Sequence, residues 1–574
     1  MKLDFRVNGR LSQDCVLRLN RIAHDIRDPF TKLIETISRD QAASLDWWVA
    51  LSLRDPFASP LFLYCCYLGL LKELVEAGIP VEEVVVNSPA MRQIASRYLE
   101  EARVEAVVRY QRSLSERLKR VVRPFVYALY VPCRYLRQKY WAWATRENAR
   151  PLPTNPITLI DTFIVFSFSE EKEHYYPGLL EQLTEDEQAA VYFLPTVIKL
   201  DKPGELFSEL RRSNKNFLLK EDFLRWSDYL FAWSHPFRFL PLPRKVFDFL
   251  GFHLFPLIDE EAKSWKGYEN AFLALLNFRF ALRLQRSSIE VRLLVDWFED
   301  QTIDKGLVAG FKRFYPDTTI VGYQGFIPPS LYLSQHLTEL ERQSGLLPHQ
   351  LAVVGSGLQS NAKRYCDALD VPVGPAFRFR WLWEERKLQP DPQRFTILVS
   401  LSMMPKERRE LLHSVERGLR GVPLDSVQVW VKPHPNTKRE EVEKGFGKVW
   451  PSLFKFVDGA FRDVVERSNL LISNTSSACV ETLARGIPVI VSGSQTGLTY
   501  NPIPDGIPKK IWKLCYTTEE MTRAIRFFME EQQSHTDEFT ALGIQICRDY
   551  FAPVTRESVL RFLQLDNGDH FEAA

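Results

Sequence analysis

The chain lacks the features that would place it in a membrane or outside the cell. No stretch approaches the roughly 20 apolar residues that a membrane-spanning helix needs, and residues 1–20 lack the apolar block of a signal peptide. The 8 cysteines are scattered without a Cys-x-x-Cys pair, which argues against a disulfide framework or a zinc site. These absences predict a protein of the reducing cytoplasm.

The chain also lacks an excess of charge of one sign. Its 74 Lys and Arg residues against 72 Asp and Glu residues leave a formal net charge of +2, so no overall field favours nucleic acid as a partner. No Asp-x-Asp run is present to hold a metal and a diphosphate, and we expect neither a metal nor a cofactor. At 574 residues the chain is long enough for two or three domains.

Strand-like and helix-like segments alternate along the second half. Strands are predicted at 395–401, 427–431, 453–457, 470–473, 489–491 and 511–516. Helices are predicted at 406–418, at 461–468, after the N-cap candidates at 474–476 and from 519. Such alternation predicts a doubly wound parallel sheet.

The first half alternates less regularly. Strands are predicted at 47–53, 83–87, 157–168, 189–193, 291–298, 319–323 and 351–354, with helices at 61–77 and 301–314. A polar, Pro-containing linker at 383–393 separates the halves. We therefore predict an α/β protein with two Rossmann-like doubly wound domains, at 1–382 and 394–545, that face a central cleft, followed by a helical tail at 546–574.

The segment Ser473–Glu481 runs from the end of a predicted strand through a turn into a helix. Three good N-cap residues follow the strand: Asn474, Thr475 and Ser476. The helix N-terminus and the hydroxyls of Ser476 and Ser477 suit a phosphate. Glu481 lies one turn beyond Ser477, where its carboxylate can accept bonds from ribose hydroxyls. The plain alternative is an ordinary capped helix with a solvated glutamate.

The segment Lys432-Pro433-His434-Pro435 follows the preceding predicted strand. Two prolines bracket His434 and fix the backbone around it, and Lys432 can add a cation. A histidine is more often structural than ligand-binding, and a second His-Pro, at His235, is interpreted as a turn. The first copy lies one structural unit ahead of the Ser-Ser helix, so both are expected to meet one phosphate.

These two motifs resemble those of the GT-B glycosyltransferases of bacterial surface polysaccharide synthesis, especially the sialyltransferase-like and Kdo-transferase group that uses CMP-linked acidic sugars. His434-Pro435 matches the His-Pro motif of that group and Ser476-Ser477 its Ser-Ser motif, both at the donor nucleotide. Ser400 and Ser402 either contact donor phosphate or serve in a turn. The resemblance implies a nucleotide-sugar donor on the C-terminal domain and a glycan or lipid-linked glycan acceptor on the N-terminal domain.

The acidic motif of that family supplies the catalytic carboxylate, and Glu299-Asp300 is the best candidate for it here. Two neighbouring carboxylates can split their pKa values, so that one becomes a base near neutral pH. In a retaining route the carboxylate would instead be the nucleophile. The alternative is helix capping by Asp300, with Glu299 stabilised by the helix dipole. Gln301 stands where the family has glycine.

Residues 109–150 carry eleven Lys or Arg residues against two acids and are rich in Tyr and Trp. Apolar residues recur there at helical spacing: Tyr110, Leu114, Leu118, Val121 and Val122. We expect Pro124 to interrupt this helix. The pattern predicts a helical insertion on an anionic membrane face, which would make the protein peripheral on the inner face of the plasma membrane. A partly buried, solvated helix is the alternative.

Some assignments stay open at this point. The loop at 54–60 either faces the crevice or forms a turn, and the aromatic stretch at 217–255 belongs either to the acceptor side or to the core. Sugar-nucleotide 2-epimerases and CDP-glycerol glycerophosphotransferases can show similar loops. A non-catalytic assembly protein that binds membrane or glycan is a further alternative.

Overall fold

The computed structural model describes residues 1–565 except 8, 51, 113, 167–173, 201, 240–246, 386–388 and 535. The end of the predicted strand at 157–168, part of the linker and the tail beyond 565 therefore lie outside the described residues.

The strands are β1 (Lys2–Asp4), β2 (Glu83–Val86), β3 (Val107–Tyr110), β4 (Ile157–Phe166), β5 (Val191–Leu200), β6 (Asn216–Phe217), β7 (Asp248–Phe249), β8 (Phe252–His253), β9 (Val291–Trp297), β10 (Thr319–Gln324), β11 (Gln350–Val353), β12 (Phe395–Ser400), β13 (Val427–Lys432), β14 (Phe454–Phe456), β15 (Leu470–Ser473), β16 (Val489–Ser492) and β17 (Trp512–Cys515).

The helices are α1 (Gln13–Ser38), α2 (Leu45–Ala50), α3 (Leu61–Glu76), α4 (Pro89–Glu101), α5 (Leu114–Ala144), α6 (Glu185–Ala189), α7 (Pro203–Arg212), α8 (Lys220–Phe223), α9 (Trp226–Trp233), α10 (His235–Arg238), α11 (Phe255–Ala262), α12 (Tyr268–Arg286), α13 (Thr302–Phe314), α14 (Glu339–Gln343), α15 (Gln359–Lys363), α16 (Pro405–Leu419), α17 (Arg439–Phe446), α18 (Phe461–Val465), α19 (Ala478–Ala484), α20 (Thr518–Ser534), α21 (Thr536–Tyr550) and α22 (Arg556–Phe562).

Two six-stranded parallel sheets carry the architecture. The C-terminal sheet has the order β14-β13-β12-β15-β16-β17, and the N-terminal sheet has the order β11-β10-β9-β4-β5-β6. Numbered along the chain within each sheet, both follow the order 3-2-1-4-5-6 of the Rossmann fold. The predicted fold class, two Rossmann-like domains in an α/β protein, is confirmed.

A third, three-stranded parallel sheet, β1-β2-β3, belongs to the first 110 residues and has a hydrophobic core of its own. Here the prediction of a strand at 47–53 is wrong, because these residues include most of helix α2. Trp47, Trp48 and Val49 are buried one after another. A short helix buried on all sides has the continuous apolar sequence of a buried strand, so periodicity could not separate the two.

The predicted basic insertion is helical, but Pro124 does not interrupt it. Helix α5 continues through both Pro124 and Pro132. Pro132 has no N–H for the carbonyl of Ala128, four residues earlier. The indole N–H of Trp233 donates to that carbonyl at 3.0 Å instead. A contact distant in sequence thus compensates for the proline.

The two Rossmann-like domains are linked twice. A 3₁₀ segment, Phe377–Trp383, leads from the first to the second. After α21 the chain returns to the N-terminal domain, where the N–H of Ala552 donates to the carbonyl of Val354 at 2.7 Å. Among the described residues, none of the helices combines the length and apolar character needed to span a membrane.

Candidate active site

Each Rossmann-like sheet has one point where its strand order reverses. In the C-terminal sheet this point lies between β12 and β15, and in the N-terminal sheet it lies between β4 and β9. Ligands of open α/β sheets bind in the crevice beyond the strand ends at this point. The loop after β15 carries Ser476 and Ser477, and the loop after β9 carries Glu299 and Asp300. Two pairs of predicted site residues therefore lie at the switch points, whereas His434 follows the neighbouring strand β13.

Hydrogen bonds bring the loops of the C-terminal switch point together. The hydroxyl of Ser473 donates to the carbonyl of Ser400 at 2.9 Å, and the N–H of Leu401 donates to the carbonyl of Lys432 at 3.0 Å. The hydroxyl of Ser402 accepts the N–H of Met404 at 3.1 Å, which is a turn contact at the start of α16. The three predicted donor-binding segments, which follow β12, β13 and β15, thus meet at the carboxyl end of one sheet.

His434 is half-buried and held in one tautomer. Its Nδ1 accepts the N–H of Asn436 at 3.2 Å, so the proton of the neutral ring is on Nε2. Burial lowers the pKa of His434, which keeps the ring neutral at pH 7. Pro435 is exposed beside it. The ring can therefore donate one hydrogen bond to an anionic ligand.

Lys432 does not point an unpaired ammonium into the crevice. Its Nζ donates to the carbonyl of Gly459 at 2.6 Å, and burial lowers its pKa. This existing bond limits how strongly the ammonium of Lys432 can bind a ligand.

The Ser-Ser segment begins α19 one residue later than predicted, with Ser477 as the N-cap. The Oγ of Ser476 accepts the N–H of Ala478 at 3.3 Å, and its hydroxyl proton can be donated to a ligand. The Oδ1 of Asn474 is buried without a hydrogen-bond partner in the described part of the chain. Asn474 and Thr475 line a cavity of about 70 Å³ together with Tyr500.

Glu481 lies one turn beyond Ser477, as predicted, and its carboxylate is already bonded. The hydroxyl of Ser477 donates to it at 3.4 Å, and the indole N–H of Trp381 donates to it at 3.1 Å. Burial raises the pKa of Glu481. Trp381 lies on the segment that joins the domains, so this contact ties that segment to the C-terminal domain.

At the N-terminal switch point, Glu299 is oriented by two neutral donors. The indole N–H of Trp297 donates to one carboxylate oxygen at 2.9 Å, and the side-chain amide of Gln301 donates to the other at 2.7 Å. Burial raises the pKa of Glu299. Such a carboxylate is a stronger base than an exposed one.

Asp300 occupies a different environment. It has a left-handed backbone conformation, with φ +51°, and its side chain is buried. Its carboxylate accepts a bond from Arg54 at 3.1 Å and lies 3.6 Å from the ammonium of Lys305. Burial, with the neighbouring charge of Glu341, raises the pKa of Asp300 to about 7.

The alternative in which Asp300 caps the following helix is wrong. Gln301 is the N-cap of α13, and the carboxylate of Asp304 accepts the N–H groups of Glu299 at 3.0 Å and of Gln301 at 2.9 Å. The left-handed backbone turns the side chain of Asp300 towards Arg54. The capping side chain thus comes from the third helical residue.

The sequence prediction missed Arg378. This exposed residue lies on the joining segment, with its guanidinium 5.8 Å from the ring centre of Trp297. Burial raises the pKa of Glu299 and of Glu481, and the charge of Arg378 partly offsets this rise at both. One cation therefore acts on the carboxylates of both switch points. Its only sequence signal is the run Phe-Arg-Phe-Arg-Trp just before the linker.

Comparison with known proteins gives distant likenesses. No protein-family model matches the sequence, and no curated protein matches it. Among solved structures the chain is similar to the UDP-GlcNAc 2-epimerase of Neisseria meningitidis bound to UDP-GlcNAc, with 10% identity, a TM-score of 0.42, and coverage of 72% of this chain and 100% of that chain. It is also similar to the glycotransferase of kitacinnamycin, with 11% identity, a TM-score of 0.40, and coverage of 72% and 98%.

A third similar structure is the alpha,alpha-trehalose 6-phosphate synthase of Burkholderia multivorans, with 9% identity, a TM-score of 0.39, and coverage of 72% and 96%. At these identities and TM-scores the likenesses say nothing about the site. Its chemistry follows from the residues of this chain.

Proposed function

We propose that the protein is a glycosyltransferase of the GT-B type that moves a sugar from a nucleotide-activated donor, by preference a CMP-linked acidic sugar, to a lipid-linked surface polysaccharide. The observation that carries this proposal is the guanidinium of Arg378, which lies 5.8 Å from the ring centre of Trp297 and whose charge acts on the carboxylates of both Glu299 and Glu481. Glu481 of the predicted donor-binding segment and the raised-pKa carboxylate of Glu299 thus share this cation.

The donor would lie on the C-terminal sheet. The Nε2–H of His434 and the hydroxyl of Ser476 would donate to its phosphate, and the cation of Arg378 would stabilise the charge that develops there. Glu481, with Asn474 and Thr475, lies on the side where a nucleoside would bind.

Glu299 would act as the general base. An acceptor hydroxyl oxygen forms a bond to the anomeric carbon, and its proton passes to the Glu299 carboxylate. The bond between that carbon and the donor phosphate oxygen breaks, with its electron pair leaving on the phosphate. Glu299 is preferred to Asp300 because the carboxylate of Asp300 is fully enclosed by Arg54 and Lys305.

The basic helix α5 supports a membrane-bound acceptor. Several large apolar side chains on it are exposed: Leu118, Val121, Phe125 and Leu129. Exposed cations accompany them, among them Lys119 and Arg137. An anionic membrane surface is the partner that this combination fits.

The experiment measures nucleotide release from CMP-, CDP- and UDP-linked sugars by the purified protein. Glu299→Gln and His434→Ala, each checked for folding, are expected to lower turnover by about 10²- to 10⁴-fold. A thermal-shift screen of the free nucleotides identifies the base independently of turnover. Retention of most activity by His434→Ala contradicts the assignment, and formation of an epimerised product without acceptor would make the protein an epimerase.

A further inference from the structure

A second cavity, outside the candidate active site, lies in the N-terminal half. Its volume is about 590 Å³. The loop after α2, helix α10 and the segment between α11 and α12 enclose it. Its wall contains both acidic and aromatic side chains: Asp55, Phe57, Phe239, Glu261, Trp265 and Tyr268.

One end of the cavity reaches the cleft between the domains. The ring of Phe57 lies 5.5 Å from that of Tyr332 and 5.8 Å from that of Tyr500, which belongs to the C-terminal domain. Burial raises the pKa of Glu299, and the negative charge of Asp55 adds to this rise. Asp55 lines both this cavity and a smaller one whose wall includes Asp300 and Gln301, on the loop of the proposed base.

The other end of the cavity meets α5, α9 and α10. Arg123 of α5 donates to the carbonyl of Ser264 at 3.3 Å, and Ser264 lines the cavity. The hydroxyl of Tyr268 donates to the carbonyl of Trp233 in α9 at 3.2 Å. Pro236 of α10 is also in the wall, and the next residue, Phe237, is 79% exposed.

These helices present one apolar surface, which we call the apolar face. Helix α5 contributes one row and the pair α9–α10 another: Leu118, Val121, Phe125 and Leu129, and Trp226, Leu230, Trp233 and Phe237. Within each row the residues are three or four positions apart, so each row follows one side of its helical path. The bond from Trp233 to Ala128 joins the two rows. A continuous exposed apolar surface of this kind marks an interaction site.

The surroundings of the apolar face indicate its occupant. Eleven cations and two acids lie in residues 109–150, and tryptophan and phenylalanine are prominent on the face itself. Aromatic side chains with cations beside them favour the interface of an anionic bilayer. A water-soluble protein partner would not require this excess of positive charge.

We propose that the cavity binds the sugar headgroup of a lipid-linked glycan while its lipid stays in an anionic bilayer against the apolar face. This inference rests on the proposed function and names the acceptor class for it. The rings of Trp265 and Tyr268 would pack on the C–H surfaces of a sugar, and the carboxylates of Asp55 and Glu261 would accept bonds from its hydroxyls. The glycan would enter from the bilayer and pass Asp55 to reach Glu299.

The first test is sedimentation with vesicles of phosphatidylglycerol and phosphatidylcholine, compared with phosphatidylcholine alone. The full chain is expected to bind the anionic vesicles, and the double variant Leu129→Asp/Phe237→Asp to bind them at least tenfold less. Val449→Asp is the matched control, because Val449 is 92% exposed and lies in the C-terminal domain. Equal binding by the double variant, or a dimer in light scattering that the double variant abolishes, overturns the proposal.

The second test uses octyl β-D-glucoside below its micelle-forming concentration as a minimal glycolipid, with octylphosphocholine as the sugar-free comparison. The protein is expected to bind the glucoside more tightly, and Ala262→Phe, which fills the cavity from its wall, to weaken that binding at least tenfold. Vesicle binding and the nucleotide-induced thermal shift of this variant should stay unchanged. Equal affinity for both amphiphiles, or unchanged glucoside binding by the variant, overturns the cavity assignment.

These tests separate the two proposals. Failure of nucleotides to bind the wild-type chain contradicts the transferase alone, since the vesicle and glucoside measurements use no nucleotide. Nucleotide binding without glucoside binding overturns the acceptor site and leaves the donor site intact.

Discussion

Substitution of Glu341 by glutamine should destabilise the protein, because Glu341 belongs to a buried charge cluster next to the loop that carries Glu299. The carboxylate of Glu341 is almost completely buried and accepts bonds from Arg54 at 2.5 Å and from Lys305 at 2.7 Å. Its other oxygen accepts the N–H and hydroxyl of Thr338 at 3.0 and 2.9 Å. Glutamine keeps the shape but leaves two cations facing one carboxylate, that of Asp300.

The expected cost follows from this geometry. Removing one charge from a buried ion pair typically costs about 3–5 kcal/mol. Burial and the charge of Glu341 together raise the pKa of Asp300 to about 7, so loss of Glu341 lets Asp300 ionise more fully and compensate in part. We therefore expect the free energy of unfolding to fall by about 3 kcal/mol, the lower end of that range. This is a large share of a typical domain stability of about 5–15 kcal/mol.

Urea unfolding followed by tryptophan fluorescence measures this loss, because the ammonium of Lys305 lies 5.3 Å from the ring centre of Trp48. Glu339→Gln is the control on the same helix. Glu339 is half-exposed and pairs with Arg342, so its substitution should cost less than about 1 kcal/mol. If Glu341→Gln costs no more than this control, the cluster does not stabilise the junction as described.

Three further predictions concern the site itself. Arg378→Ala should lower kcat/KM for the donor at least about tenfold, because the charge that stabilises the departing phosphate is lost. Arg380→Ala is the control: it removes a surface pair with Glu181 and should leave kcat/KM near the wild-type value. Equal effects of the two substitutions would refute the role of Arg378. Because the pKa of Glu299 is raised above its ordinary 4.5, kcat/KM should fall as the pH drops through that raised pKa. Glu299→Asp should shift the pH at which this fall occurs. A kcat/KM that does not change on the acid side argues against Glu299 as the base. Asp304→Ala should lower the thermal midpoint, because it removes the acceptor of two backbone N–H groups at the start of α13, at a cost of about 1 kcal/mol. An unchanged midpoint would show that these two bonds contribute little.

Much of the C-terminal domain could be predicted from the sequence, because its strands and helices alternate in short, well-separated segments. The placement of Ser473 and Glu299 at strand ends followed from this alternation. Boundaries shifted by a few residues, as at the start of α19. In the N-terminal half the same reasoning was wrong for residues 47–53, where burial on every side hides helical periodicity.

Local sequence patterns thus determined the two Rossmann-like units and the loops that carry the predicted site residues, because periodicity, prolines and capping residues act over a few positions. Only the tertiary structure decided which loops meet. It brought Arg54 into contact with Glu341, 287 positions away, and thereby enclosed Asp300, while Glu299 stayed only partly buried. It also let the charge of Arg378 act on the carboxylates of Glu299 and Glu481, and it placed α9 beside α5. Such contacts depend on how the chain reverses and how the core packs, and a local sequence pattern contains no direct signal of either.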